Sequence, residues 1–152
     1  MTIDAELVTR KLVLITADLE QLRSVHSRGL DAYLLSPLEQ AVVERLLERI
    51  VTRMIDINYH LITASGHPPP RDYHASFQLL AAEGVLDAPF AGRIARAAGL
   101  RNRLVHDYDD LDQRILFGAL SDALFDVPAY AAAVHGWVQK RSAHSADPDS
   151  TS

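Results

Sequence analysis

From Asp4 to about Ser27, Val8, Leu12, Ile15, Leu19 and Leu22 recur at alternating steps of four and three, which lays them along one stripe of an α-helix. Arg28-Gly29 then supplies a C-terminal stop. Ser36-Pro37-Leu38-Glu39 opens a second helix with a serine cap, a proline at the first helical position, and a glutamate placed to complete a capping box. The apolar face of Val43, Leu46, Leu47, Ile50, Met54, Ile57, Leu61 and Ile62 carries that helix to about Thr63, with Glu44, Glu48, Arg49 and Arg53 mostly on its other sides.

Ser65-Gly66-His67-Pro68-Pro69-Pro70 cannot continue a helix, because successive prolines remove donors and hold the backbone extended. It reads as a linker between helices. A third helix fits Asp72 to Glu83, with Phe77 and Leu80 inward and Gly84 as its stop. A fourth fits Pro89 to about Asp107, opened by Asp87 near its cap position. Residues 112–125 give a fifth, which Asp126-Val127-Pro128 is expected to break before a last helical run to about Lys140. Residues 142–152 read as a disordered tail behind a single domain of residues 1–141. No segment alternates as a strand does, none repeats, and neither usual glycine-rich phosphate loop occurs. The expectation is an all-α, up-and-down helical bundle of about five to six helices.

Composition narrows the class. A chain of 152 residues that is 48% hydrophobic can bury one substantial core. Cysteine is absent, which excludes disulfides and thiolate metal sites and fits a reducing compartment. The first residues lack a secretory pattern, and acids and arginines interrupt the apolar runs before membrane-spanning length, so a cytoplasmic protein with no membrane partner is expected. A net charge of −5 argues against a broad phosphate-tracking surface. Local charge differs from the total, however. Arg93, Arg96, Arg101 and Arg103 fall in one predicted helix, and Arg96 and Arg103 lie on nearly the same face as a candidate substrate-binding pair. A solvated helix face is the alternative for them. His60, His67 and His74 recur every seven residues, but three prolines interrupt the register. They read as surface or packing histidines, and neither a metal nor a cofactor is expected.

Chemistry concentrates in Arg101-Asn102-Arg103-Leu104-Val105-His106-Asp107-Tyr108. On an ideal helix Arg101 and Tyr108 share one face while Asn102 and His106 stand one above the other on an adjacent face. Asn102 in that position can hydrogen-bond the His106 ring and fix its tautomer. Arg101 can hold a phosphate oxygen as a permanently charged planar fork. Together they suffice in principle for metal-independent RNA cleavage, with His106 assisting proton transfer at the 2′-hydroxyl and Arg101 stabilising charge at phosphorus. The same residues also admit a structural reading: His106 against the helix dipole, Arg103 with Asp107 as a four-spaced ion pair, and Tyr108 as a packing residue.

Gly99 through Tyr108, followed by Asp109-Asp110, resembles the signature of the HEPN superfamily, specifically its HepT-like branch with R-x4-H-x-Y. The preceding stretch Phe77 to Leu86 resembles the helix, glycine stop and entry into the motif helix of that family. The resemblance implies the toxin of a type VII-like HepT/MNT toxin–antitoxin system, an endoribonuclease acting as a homodimer with both motifs in a shared cleft. It implies Arg101 and His106 as the catalytic pair, with Asn102 at the polar position after the arginine. It further implies a cognate minimal nucleotidyltransferase antitoxin that, in some members, transfers AMP to the motif tyrosine, here Tyr108. Two other readings remain: a non-catalytic binding module or nucleotide-binding partner subunit of a nucleotidyltransferase, and a purely structural dimerisation bundle.

Overall fold

The computed structural model of the chain describes residues 2–106 and 111–145, and within them every regular element is helical. Seven helices follow in order: α1 (Ala5–Ser27), α2 (Gly29–Leu34), α3 (Pro37–Ala64), α4 (Tyr73–Ala82), α5 (Ala88–Ile94), α6 (Arg96–His106) and α7 (Gln113–Ser145). The all-α bundle is as expected from the periodicity, but its division differs at three places.

The first is α2. Gly29 adopts φ +89°, the left-handed conformation that ends α1, yet the chain turns there and winds six more residues. The anchor of that turn is Tyr33, fully buried. The second is the motif helix, which is two helices hinged at Ala95, where the Ala98 amide bonds the Ala95 carbonyl in a tightened turn. The third is the expected break at Pro128. Instead α7 runs through it to Ser145, so the helix also occupies the first four residues assigned to the tail. Proline in a helix interior costs about 3 kcal/mol. Burial of Val127, Tyr130, Val134 and Val138 around and beyond it works in the opposite direction, at roughly 1.5–3 kcal/mol for each large apolar side chain.

Capping explains most helix starts. Asp4, Ser36, Asp72 and Asp87 each accept a hydrogen bond from the backbone amide three residues on, at 2.7–3.2 Å. The capping box at α3 is half formed: Ser36 Oγ accepts from the Glu39 amide, whereas the Ser36 amide is taken by the Tyr33 carbonyl and the Glu39 carboxylate pairs with Arg28. Glycine ends are equally local. At the close of α4, Val85 N–H reaches the Leu80 carbonyl at 2.9 Å and Gly84 N–H the Ala81 carbonyl at 3.1 Å, with Gly84 at φ +79°.

The hub is α3, which packs against α1, α2, α4, α6 and α7. Its buried face is the predicted one, joined by Val51, Ile55 and Asn58. Most buried polar side chains around it are paired, the exception among the described residues being the Ser65 hydroxyl at its C-terminal end. Asp18 on α1 receives Arg53 at 2.8 Å and Arg49 at 3.4 Å from α3. Tyr130 hydroxyl lies 2.6 Å from Asn58 Oδ1 and 3.0 Å from the Met54 carbonyl, and Asn58 Nδ2 donates to Ser76 Oγ at 3.0 Å, tying α7, α3 and α4 together. Among the described residues α7 is long and apolar enough, by length and composition, to cross a membrane, contrary to the reading of interrupted apolar runs. Its stripe of Leu116, Leu120, Val127, Tyr130, Val134 and Val138 is buried in the bundle, while Ile115 and Phe125 on its other sides are exposed.

Candidate functional site

α6 is seated by Ala98 and Leu104, both buried, with Ala97 and Leu100 partly so, which fixes the rotation of the helix on α3. Rotation decides where each polar side chain emerges, since successive residues are turned by about 100°. Arg101 therefore points back to the bundle and is half-buried. Its Nε donates to Thr52 Oγ1 on α3 at 3.0 Å, and its guanidinium carbon sits 5.1 Å from the ring centroid of Tyr73 at the start of α4. Among the described residues neither terminal nitrogen of Arg101 has an acceptor, so both remain free to form a fork with a phosphate.

Asn102 and His106 are both exposed. Asn102 opens onto a recess of about 540 Å³ bounded by Tyr59, Arg71, Tyr73 and His74. Tyr59 and Tyr73 meet edge to face at 6.1 Å, and burial, followed by the proximity of Tyr73 and Asp72, pushes the Tyr59 phenol above the usual tyrosine range. The expected hydrogen bond between Asn102 and His106 is not formed among the described residues, and both side chains are exposed. His106 closes α6, where a protonated ring also suits the helix dipole. Tyr108, with Asp107, Asp109 and Asp110, lies outside the described residues, and so do the expected Arg103–Asp107 pair and most of the tail.

Arg96 and Arg103 do share a face, as their spacing predicts, but it is a different one from that of Asn102. They line a larger groove of about 750 Å³ between α3, α6 and α7, floored by apolar residues such as Ile50, Met54 and Leu100. Asp122 and Asp126 stand on the α7 side, and Arg93 is already engaged with Asp126 at 3.1 Å. Arg101 does not line this larger groove. Charge on α6 divides into one arginine directed at α3 and α4 and two along the α7 groove.

Thr52 and Tyr73 escaped the sequence reading. Both touch the motif arginine, yet Thr52 is one polar residue in a long amphipathic helix and is 49 residues from its partner. His60 and His67 have structural roles: His60 Nε2 accepts from the Asp4 amide at 2.9 Å, and His67 pairs with Glu83. The proline loop also carries a contact, with Tyr59 hydroxyl donating to the Pro70 carbonyl at 3.4 Å.

Comparison with known proteins adds to this geometry. Residues 15–134 match the family described as HepT-like, or ribonuclease HepT-like. The chain is 35% identical to the tRNA nuclease HepT of Aphanizomenon flos-aquae over 90% of its own length and 92% of that protein. It is 26% identical to the mRNA nuclease HepT of Shewanella oneidensis, over 80% and 90% of the two chains. The fold superposes with a TM-score of 0.78 on the tri-AMPylated Shewanella oneidensis HEPN toxin solved in complex with MNT antitoxin, at 24% identity and over 90% of this chain and 99% of that one.

Proposed function

The chain belongs to the HepT-like ribonuclease family, and we propose that it is the toxin of a HepT/MNT toxin–antitoxin pair, a metal-independent endoribonuclease whose reaction is carried by Arg101 and His106. The observation behind the proposal is the state of Arg101: anchored through Nε and its ring-stacked face, with both terminal nitrogens unclaimed among the described residues. Such a fork suits a phosphodiester whose non-bridging oxygens gain charge in the transition state.

In this reading His106 accepts the proton of the ribose 2′-hydroxyl. The 2′-oxygen bonds to phosphorus, the bond from phosphorus to the 5′-oxygen breaks, and a proton passes to the departing oxygen, leaving a cyclic phosphate. Arg101 donates to the phosphoryl oxygens throughout. Asn102, one turn before His106, adds a polar contact to the substrate. Arg96 and Arg103 hold flanking phosphates where RNA follows the α7 groove. Two copies pair so that both motifs line one cleft, and the protein acts in the cytoplasm.

The partner in this proposal is a minimal nucleotidyltransferase antitoxin that transfers AMP to Tyr108. The tri-AMPylated state of the Shewanella oneidensis toxin supports the assignment. Added phosphates near Arg101 would occupy its donors and repel an incoming RNA backbone. The test is cleavage of RNA and growth arrest by the wild-type chain, by Arg101→Ala and by His106→Ala. Both variants should lose cleavage and toxicity while keeping the helical fold; retention of both activities by both variants would overturn the assigned roles.

A further inference from the structure

Resting on the ribonuclease reading, we infer that Thr52 and Tyr73 are positioning residues that clamp Arg101, so that its two terminal nitrogens are presented to the scissile phosphate in one orientation. An unrestrained arginine carries rotamer freedom that phosphate binding would otherwise have to remove. The clamp acts at two points. Thr52 Oγ1 accepts from Nε at 3.0 Å, and Tyr73 covers the guanidinium at 5.1 Å, together setting both the direction and the plane of the fork.

The behaviour of other threonines sharpens the point. Thr16 and Thr63 turn their hydroxyls back to carbonyls of their own helices, Leu12 at 3.0 Å and Tyr59 at 2.9 Å. Thr52 instead serves as an acceptor across the α3–α6 contact. Tyr73 is itself held. Its carbonyl accepts from Ser76 Oγ at 2.6 Å, Ser76 receives Asn58, and Asn58 receives Tyr130 from the core, while Tyr59 braces the ring edge at 6.1 Å. A ladder of hydrogen bonds thus runs from α7 to the backbone of Tyr73, whose ring lies against the motif arginine. Misplacement of a catalytic group by about 1 Å can cost about a hundredfold in rate.

A packing role and a positioning role give different results with matched substitutions. Thr52→Val keeps shape and removes the acceptor, whereas Thr52→Ser keeps the acceptor. Tyr73→Leu removes the ring face, whereas Tyr73→Phe keeps it. Thr52→Val and Tyr73→Leu should lower kcat for RNA cleavage by about tenfold to a hundredfold, with the loss mainly in kcat and not in KM. Thr52→Ser and Tyr73→Phe should restore most of the rate. NMR of the arginine Nε–H groups gives a readout independent of turnover: the Arg101 Nε proton should exchange slowly in wild type and Thr52→Ser, and as fast in Thr52→Val as that of exposed Arg71. Thr52→Val cutting at the wild-type rate would overturn the inference, as would an Arg101 Nε proton in wild type exchanging as fast as that of Arg71. A wild-type chain that cuts no RNA would sink the parent reading instead, and the exchange measurement would then decide the clamp alone.

Discussion

Arg101 Nε and Thr52 Oγ1 meet at 3.0 Å across 49 residues of chain, so the motif arginine takes its aim from α3, the hub of the bundle. Arg101→Lys tests what that contact is for. Lysine keeps the charge but offers one ammonium, which cannot bond Thr52 and also form a planar fork on two phosphate oxygens. Cleavage should fall by about tenfold or more, with thermal stability little changed, because the site is half-buried and the packing stem is preserved. Full activity in the lysine variant would mean that charge alone suffices, and the comparison is a kcat measurement beside a melting curve.

Much of this arrangement is legible in local sequence, and the exceptions share a physical cause. The stripe Val8, Leu12, Ile15, Leu19, Leu22 and the caps Ser36 and Asp87 act within one or two turns, so α1, α3 and the entry to α5 follow from neighbours alone. Pro128 misleads because its local cost is opposed by Val127 and Tyr130, buried against elements distant in sequence. Ala95 does not mark the hinge, since alanine is the strongest helix former and Gly92 and Gly99 lie a turn away on either side. At the candidate site, Arg101, Asn102 and His106 are singled out because they are close together in one helix. Thr52 and Tyr73 are not, because only the docking of α6 on α3 and α4 makes them neighbours.

Pro128 itself supports a stability prediction. It sits inside α7 without an amide proton, so the Leu124 carbonyl lacks its usual donor. Pro128→Ala restores that bond and removes the ring from a helix interior, and should stabilise the protein by about 1–3 kcal/mol. Chemical denaturation of the two chains, compared at constant m-value, checks it. A lower midpoint in the alanine variant would show that the proline shapes a bend the bundle requires.

Tyr130 links stability to pH. Burial pushes its phenol well above the usual tyrosine range, so the folded state holds that proton more tightly than the unfolded chain does. The associated stability is fully present below the unfolded value of about 10 and is lost as pH rises beyond it. Tyr130→Phe should therefore flatten the fall in stability above about pH 10. Burial also raises Tyr33, whose own contribution persists in the variant. At neutral pH the same substitution leaves Asn58 Oδ1 without its hydroxyl donor and should cost about 1–3 kcal/mol. Equal alkaline slopes for both chains would remove Tyr130 as the source.

Tyr108 stands two residues beyond His106, which places it, in the proposed function, within reach of whatever acts on the motif. In that proposal AMP added there would bring negative phosphate to the motif, where the terminal nitrogens of Arg101 are the donors proposed for RNA. Modification and substrate would then compete for one cation. Co-production with the proposed nucleotidyltransferase antitoxin should add mass in whole increments of AMP, and Tyr108→Phe should abolish those increments. The phenylalanine variant should stay toxic even with active antitoxin enzyme present, because the fork can no longer be blocked covalently. Intact mass and growth measured on the same strains separate the outcomes: AMP increments persisting on Tyr108→Phe would move the acceptor elsewhere, and loss of both increments and toxicity would give Tyr108 a part in cleavage itself.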